Sequence, residues 1–278
     1  LFTKSKIKNI NTVVWEPAYN SDYCLPYILM HIGLNIVALP HNLESLVANQ
    51  YSPLSGKISP NWFREELDIL SKCYKVFTIS REEQWLLNLF NIKAFYFPYF
   101  PSEKVYNELK QIRNKRKKSQ KDNFLIIGSF KNYHTRIGIL ELINVFLKEK
   151  INEKIIIAGF NTEEIAVYYP KLPDNILLLG TIEPNHLNYL LTYCKAIIIN
   201  QGFSSGALTK LKEFQIAGIP VIADIGSLRD YHNIDGFNFF NNYDELISFL
   251  NKDYSIPIFN NLGQSNAINT EVINSVYS

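Results

Sequence analysis

Gly202-Phe-Ser-Ser-Gly-Ala-Leu-Thr-Lys-Leu-Lys-Glu-Phe-Gln-Ile-Ala-Gly-Ile-Pro-Val-Ile-Ala-Asp224 holds one short helix between two strands. It follows the strand-like run Ala196-Ile-Ile-Ile-Asn200 and ends in another, Pro220-Val-Ile-Ala223. Leu208, Leu211 and Phe214 (or Ala217) recur at helical spacing, so one face packs on a sheet. Lys210 and Glu213 are three apart and share a different face. Gly206 keeps the approach to the helix start open, and Gly218 and Pro220 end the helix. A helix start with small residues and a lysine in its first turns suits a phosphate. A glutamate one turn on can accept hydrogen bonds from sugar hydroxyls. An ordinary surface helix would share the periodicity but has no need of that lysine and glutamate.

Working outward, the second half of the chain alternates strands and helices. Phe124–Ile127, Lys154–Ala158, Ile176–Leu179, Ala196–Ile199 and Pro220–Ala223 are short and apolar on both faces, as in a buried parallel sheet. Helical patterns fill Ile137–Lys150, Thr162–Tyr169, Pro184–Tyr193 and Leu208–Ala217. This predicts a doubly wound α/β domain with its ligand at the carboxyl ends of the strands. Gly128 and Ser129 sit in the first such turn, where a missing side chain lets backbone N–H groups approach a phosphate.

The first half is less regular. Asn11–Trp15, Asn35–Leu39 and Lys75–Ile79 read as strands, and Ser80 caps a helix running to Phe90. The aromatic run Ala94–Pro101 leads out of this part. His41 follows a strand directly, which places it at a carboxyl end, where active sites gather. Asn42 and Glu44 could orient it, and a histidine bonded only to backbone would fit the same position. Tyr19, Tyr23 and Tyr27, at helix-compatible spacing beside Trp15, read as packing first and acceptor contacts second.

Composition narrows the classes. The chain has 278 residues, 47% of them apolar, enough for two cores. Lys plus Arg is 28 against 26 for Asp plus Glu, and a net charge of +2 argues against nucleic acid as the main partner. Three scattered cysteines without a CxxC favour a reducing compartment and a cytoplasmic protein. No apolar run approaches the ~20 residues of a membrane helix. The basic run within Glu103–Asn123 reads as a solvated linker, with peripheral contact to an anionic membrane as the functional alternative. Gly-x-Gly-x-x-Gly and Gly-x-Ser-x-Gly are absent, which weakens dinucleotide oxidoreductase and serine hydrolase readings.

The helix-bearing segment resembles the nucleotide-binding segment of GT-B glycosyltransferases, specifically retaining family 4. Gly206, Lys210, Glu213, Gly218, Pro220 and Val221 carry the match. The resemblance implies that Lys210 contacts the donor diphosphate, that Glu213 binds the ribose, and that His41 faces the donor sugar. Many members have a second glutamate where this chain has Ser205. No Asp-x-Asp occurs, which fits a metal-independent site in which Lys and helix dipoles balance the diphosphate charge. The expected fold is GT-B, α/β, with two Rossmann-like domains facing a cleft and the first short or truncated. The expected divisions are residues 1–102 (acceptor side), a basic linker 103–123, the nucleotide-sugar domain 124–255, and a tail 256–278 crossing back.

The expected activity is sugar transfer from a UDP or GDP sugar to a glycan, lipid-linked or protein acceptor, with no further cofactor and no metal. His41 and Lys210 are the expected catalytic residues; Gly128, Ser129, Gly206, Lys210 and Glu213 are the expected binding residues. Two alternatives stay open: a degenerate, non-catalytic binding partner, and a GT-B nucleotide-sugar epimerase.

Overall fold

The computed structural model describes residues 10–17, 20–47, 51–52, 54–56, 61–202, 206–228, 231 and 234–259. Two compact units result, dividing after Phe100; Gly206 and Ala207 group with the first unit.

The first unit is built on four parallel strands, β1 (Thr12–Trp15), β2 (Asn35–Ala38), β3 (Lys75–Thr78) and β4 (Ala94–Tyr96), in that spatial order. Helices α1 (Leu25–His31), α2 (Asn61–Ser71) and α3 (Arg81–Leu89) connect them. Parallel neighbours need such crossovers, so the alternation of elements dictates the layers. The core is aromatic. Trp15 and Trp62 both meet the Tyr23 ring edge-on at 5.0 Å, and all three are buried. Tyr23 is therefore a packing residue. Ser80 caps α3 by accepting from the Glu83 amide.

Six parallel strands form the sheet of the second unit: β5 (Asn123–Ile127), β6 (Ile155–Ala158), β7 (Ile176–Gly180), β8 (Cys194–Ile199), β9 (Val221–Asp224) and β10 (Phe237–Phe240). Their order is β10-β9-β8-β5-β6-β7. This is the doubly wound order, with its reversal between β5 and β8. Both β6 and β9 are buried along their whole length, which is why they read as the apolar runs Ile155-Ile-Ile-Ala158 and Val221-Ile-Ala223. Helices α5 (Tyr133–Glu149), α6 (Ile165–Tyr168), α7 (Pro184–Tyr193) and α8 (Thr209–Ala217) join successive strands from β5 to β9, and α9 (Tyr243–Leu250) follows β10.

The expected solvated linker takes a different form over most of its length. Glu103–Arg116 is a helix, α4, packed against α7 and α8. Two of its cations point inward. Arg116 is fully buried; its Nε donates to Gly218 O (2.9 Å), and its Nη1 to the carbonyls of Leu191 (2.6 Å), Thr192 (3.2 Å) and Cys194 (3.0 Å). Arg113 donates to Gln215 O, Ile216 O and Pro257 O at 2.7–2.8 Å. The last carbonyls of a helix have no partner inside it and carry partial negative charge. The two arginines supply both donors and charge to the ends of α7 and α8. Burial lowers the pKa of each guanidinium; the carbonyls compensate for part of its lost hydration, and the Nη2 of Arg116 is buried without a hydrogen-bond partner.

Arg116→Ala should therefore cost about 3 kcal/mol or more in urea denaturation, because it strands several buried carbonyls at once. Arg116→Lys should recover little, since one ammonium cannot span Gly218 and the end of α7. A loss below about 1 kcal/mol in the alanine variant would show that water replaces the guanidinium.

Candidate functional site

The carboxyl ends of β5, β6 and β7 meet backbone on backbone. Gly128 N donates to Ala158 O (3.2 Å), and Gly159 N to Gly180 O (2.9 Å). Gly159 has φ +134°, and a Cβ there would lie 2.1 Å from Gly128 O. Only glycine fits such an approach. Gly128 and Ser129 follow β5 directly, and Ser129 O accepts from Asn132 N, which turns the chain into α5. Asn132 then caps α5 by accepting from the Thr135 amide at 3.0 Å.

At the reversal between β5 and β8, α5 lies directly on the end of β8. A Cβ on Gly138 would sit 1.3 Å from Asn200 O. A side-chain network spans the same edge. Asp224 Oδ1, at the end of β9, accepts from Gln201 N (2.9 Å), and Gln201 Nε2 donates to Thr135 Oγ1 (2.7 Å). Ser227 donates its amide and hydroxyl to the same carboxylate. Neither Gln201 nor Thr135 is among the residues expected at the site, and Asp224 stands in the sequence only as the end of the quoted stretch. Their only sequence signal is position just past a strand or inside a helix start.

Helix α8 carries Lys210 in its first turn, with Glu213 one turn on. Leu211 and Phe214 are buried beneath them, as the spacing required. Lys210 is solvent-exposed as a residue, yet the protein packed around its ammonium lowers its pKa, while the charge of Glu213 works the other way. The two are thus electrostatic neighbours on the helix that leaves β8, the strand beside β5 and its Gly128-Ser129 turn. The expected glutamate position, Ser205, lies outside the described residues, as does the tail from residue 260.

His41 and Gly206 lie in the first unit. His41 Nε2 pairs with Glu16 Oε1 at 2.6 Å; Glu16 follows β1, and His41 lies just beyond β2. Glu16 was missed, although its place after Trp15 put it at the same strand edge. The loop after His41 hangs on two buried glutamates. Glu66 accepts from the amides of Glu44 (2.9 Å) and Ser45 (3.1 Å) and from the Ser45 hydroxyl. Burial raises the Glu66 pKa, and these hydrogen bonds oppose the rise. Glu83 accepts from the amides of Leu43 (2.9 Å) and Gly206 (3.0 Å). Gly206 has φ +71°, and a Cβ there would lie 1.9 Å from Asn42 Oδ1. A side chain at 206 would therefore collide with Asn42, and the Gly206 amide is held by Glu83. Asn42 Nδ2 reaches Glu44 Oε1 at 3.3 Å. No helix among the described residues is long and apolar enough to cross a membrane.

Two parallel-sheet Rossmann-like units of this kind define the GT-B fold. The sequence matches no protein-family model and no curated protein. Among solved structures, the chain is similar to TarM, with a TM-score of 0.68 and 15% identity over 99% of this chain and 57% of that one. It is similar to sucrose-phosphate synthase of Thermosynechococcus elongatus (TM-score 0.64, 14% identity, 99% of this chain, 71% of that one). HepE of Anabaena, solved in complex with UDP-glucose, gives 0.62 at 12% identity, over 89% of this chain and 70% of that one. The chain thus spans little more than half the length of TarM.

Gly138→Ala reverses an ordinary expectation. Alanine inside a helix normally gains up to about 1 kcal/mol over glycine. Here its methyl group would collide with a strand carbonyl, so α5 must shift off β8. The variant should be less stable by at least 2 kcal/mol in thermal or urea unfolding, an order-of-magnitude figure for backbone overpacking. A stabilised variant would mean that α5 sits further from Asn200.

Proposed function

We propose that this chain is a glycosyltransferase that moves a sugar from a nucleoside-diphosphate sugar to an acceptor hydroxyl. The observation that carries the reading is the Lys210/Glu213 pair on the helix leaving β8, beside the reversal of a six-stranded Rossmann sheet. Ligands of such sheets bind outside the carboxyl ends at that reversal. The likeness to solved GT-B structures supports the fold on which the reading rests. In this reading the Gly128-Ser129 turn approaches the diphosphate through its backbone. Glu213 accepts from the ribose hydroxyls. As the bond between the anomeric carbon and the diphosphate breaks, charge grows on the departing oxygens, and the Lys210 ammonium offsets it. His41, its imidazole held by Glu16, is assigned the sugar-facing role. Retention of configuration and independence from metal follow from the resemblance to family 4. The acceptor is a glycan, a lipid-linked saccharide or a protein.

A second reading, nucleotide-sugar epimerisation, draws on similarity to the UDP-GlcNAc 2-epimerase of Methanocaldococcus jannaschii (TM-score 0.52, 13% identity, 95% of this chain, 77% of that one). Product analysis without an acceptor separates the two: an epimerase changes the sugar on its nucleotide, and a transferase leaves it intact.

The first test is a thermal-shift panel with UDP, GDP, ADP, CMP and dTDP. A ligand at about 100 times its dissociation constant stabilises a one-site protein by about 2.7 kcal/mol. One nucleotide should raise the melting temperature of the wild type, and Glu213→Ala should remove the shift. No shift with any of them would overturn the donor-site assignment.

Lys210→Ala should keep the fold and lower transfer by about 10²–10³-fold. Proton linkage gives an independent check. The free ammonium titrates below the ordinary lysine range, and a bound diphosphate favours its charged form. Nucleotide binding should therefore take up protons at alkaline pH, between the lowered and the restored pKa. Calorimetry in two buffers of different ionisation enthalpy should show this uptake in the wild type and not in Lys210→Ala. Near-normal turnover by that variant would defeat the proposed role.

A further inference from the structure

The second unit has a pocket of about 340 Å³ at the opposite edge of its sheet, where the strands begin. Asn123 opens β5, Lys154 immediately precedes β6, and Tyr189 and Tyr193 come from the second half of α7. All six strands are parallel, so this edge is remote from the strand ends that carry Gly128 and Asp224. The volume falls in the range of small-molecule sites.

Its chemistry is specific. Ile156 and Leu190 are buried and supply an apolar floor. Tyr189 and Tyr193 are four apart on α7 and share a face; their ring centroids lie 4.6 Å apart at a 42° tilt. Tyr189 is 59% exposed, a large aromatic face left open to solvent. The polar side is set in advance. Asn123 Nδ2 donates to Asp122 Oδ1 at 2.6 Å, and Lys154 Nζ lies 4.0 Å from Asp122 Oδ2. Gln120 adds an amide, which can both donate and accept.

These features exclude several ligand classes. One lysine beside one aspartate leaves the lining without net charge, so an anion such as a phosphate gains little. The polar rim does not suit a hydrocarbon. The tyrosines touch each other, so they leave no slot in which a flat base could be sandwiched. A ligand that fits is uncharged, has one flat C–H face for the tyrosines, and carries hydroxyls for a carboxylate, an amide and an ammonium. A pyranose has those properties.

We propose that this pocket binds a neutral saccharide, stacked on Tyr189 and Tyr193 and hydrogen-bonded to Asp122, Gln120 and Lys154. The assignment rests on this pocket alone and stands whether or not the chain transfers sugars. If it does, the site holds saccharide away from the reaction and keeps a long acceptor attached between turnovers.

The test is calorimetric titration of the full chain with four neutral oligosaccharides: maltohexaose, cellohexaose, laminarihexaose and chitohexaose. At least one should bind. Tyr189→Ala should weaken it about tenfold or more, the size of a lost aromatic contact, and Tyr189→Phe should leave it nearly unchanged. Tyr193→Ala is a second variant with the same expected direction, and circular dichroism melting checks that each variant folds. Binding by none of the four sugars, or equal binding by Tyr189→Ala, overturns the proposal. Binding of adenosine or uridine that Tyr189→Ala abolishes overturns it too, in favour of a nucleobase site. A UDP-induced thermal shift that survives in Tyr189→Ala keeps this outcome separate from the fate of the donor-site reading.

Discussion

One buried guanidinium organises the second unit. Arg116 brings a positive charge to the point where α7 ends, β8 begins and α8 ends, and its acceptors there are backbone carbonyls and the Cys194 sulfur. Both helices present the negative ends of their dipoles to it. A helix nine residues long, such as α8, gains little from its own propensity and depends on what holds its ends. Arg113 and Arg116 fix the carboxyl end of α8 from outside. Its first turn, with Lys210, is thereby set relative to the sheet without any contact to a ligand. Charged residues of α4 thus orient a helix more than ninety positions later in the chain.

Five strands of the Rossmann sheet were legible because they carry unbroken apolar runs; β6 and β9 are buried throughout, and even the edge strand β7, with Leu177 exposed, keeps the run Ile-Leu-Leu-Leu. The runs at Phe124, Lys154, Ile176, Ala196 and Pro220 all correspond to strands. The sixth strand was not legible. Phe237-Asn-Phe-Phe240 is an edge strand, with Phe239 half exposed and a polar residue in its middle, so it lacks the signature of its neighbours. The basic run misled for a different reason. Charge count gives no direction, and nothing in the local sequence says that Arg113 and Arg116 face helix ends while Lys115, Lys117 and Lys118 face water. The information lies in the carbonyls of Leu191 and Gly218, far along the chain.

Site residues divide along the same line. Lys210 and Glu213 are a local pattern on one helix, and local patterns survive translation into sequence. His41 was found by its position after a strand, but its partner Glu16 ends a different strand, and their pairing exists only once β1 and β2 lie side by side. Asp224, Gln201 and Thr135 come from three separate elements and meet only at the reversal of strand order. Gly206 stands in the sequence for its lack of a side chain at the helix start; the bond from its amide to Glu83 is long-range, and glycine's freedom permits but does not announce it.

The loop after His41 is suspended from Glu66 and Glu83 chiefly through its own main-chain amides. Its path is therefore largely independent of the side chains it displays. Leu43 is tied to the core, but Asn42, Glu44 and Leu46 are at least partly accessible and can change without redirecting the backbone. Proline is the exception at 43, 44, 45 and 46, where it would remove a bonded N–H. The loop is thus a fixed bracket with interchangeable surface. Diversification beside His41 is open to drift or to directed libraries while the bracket itself stays rigid.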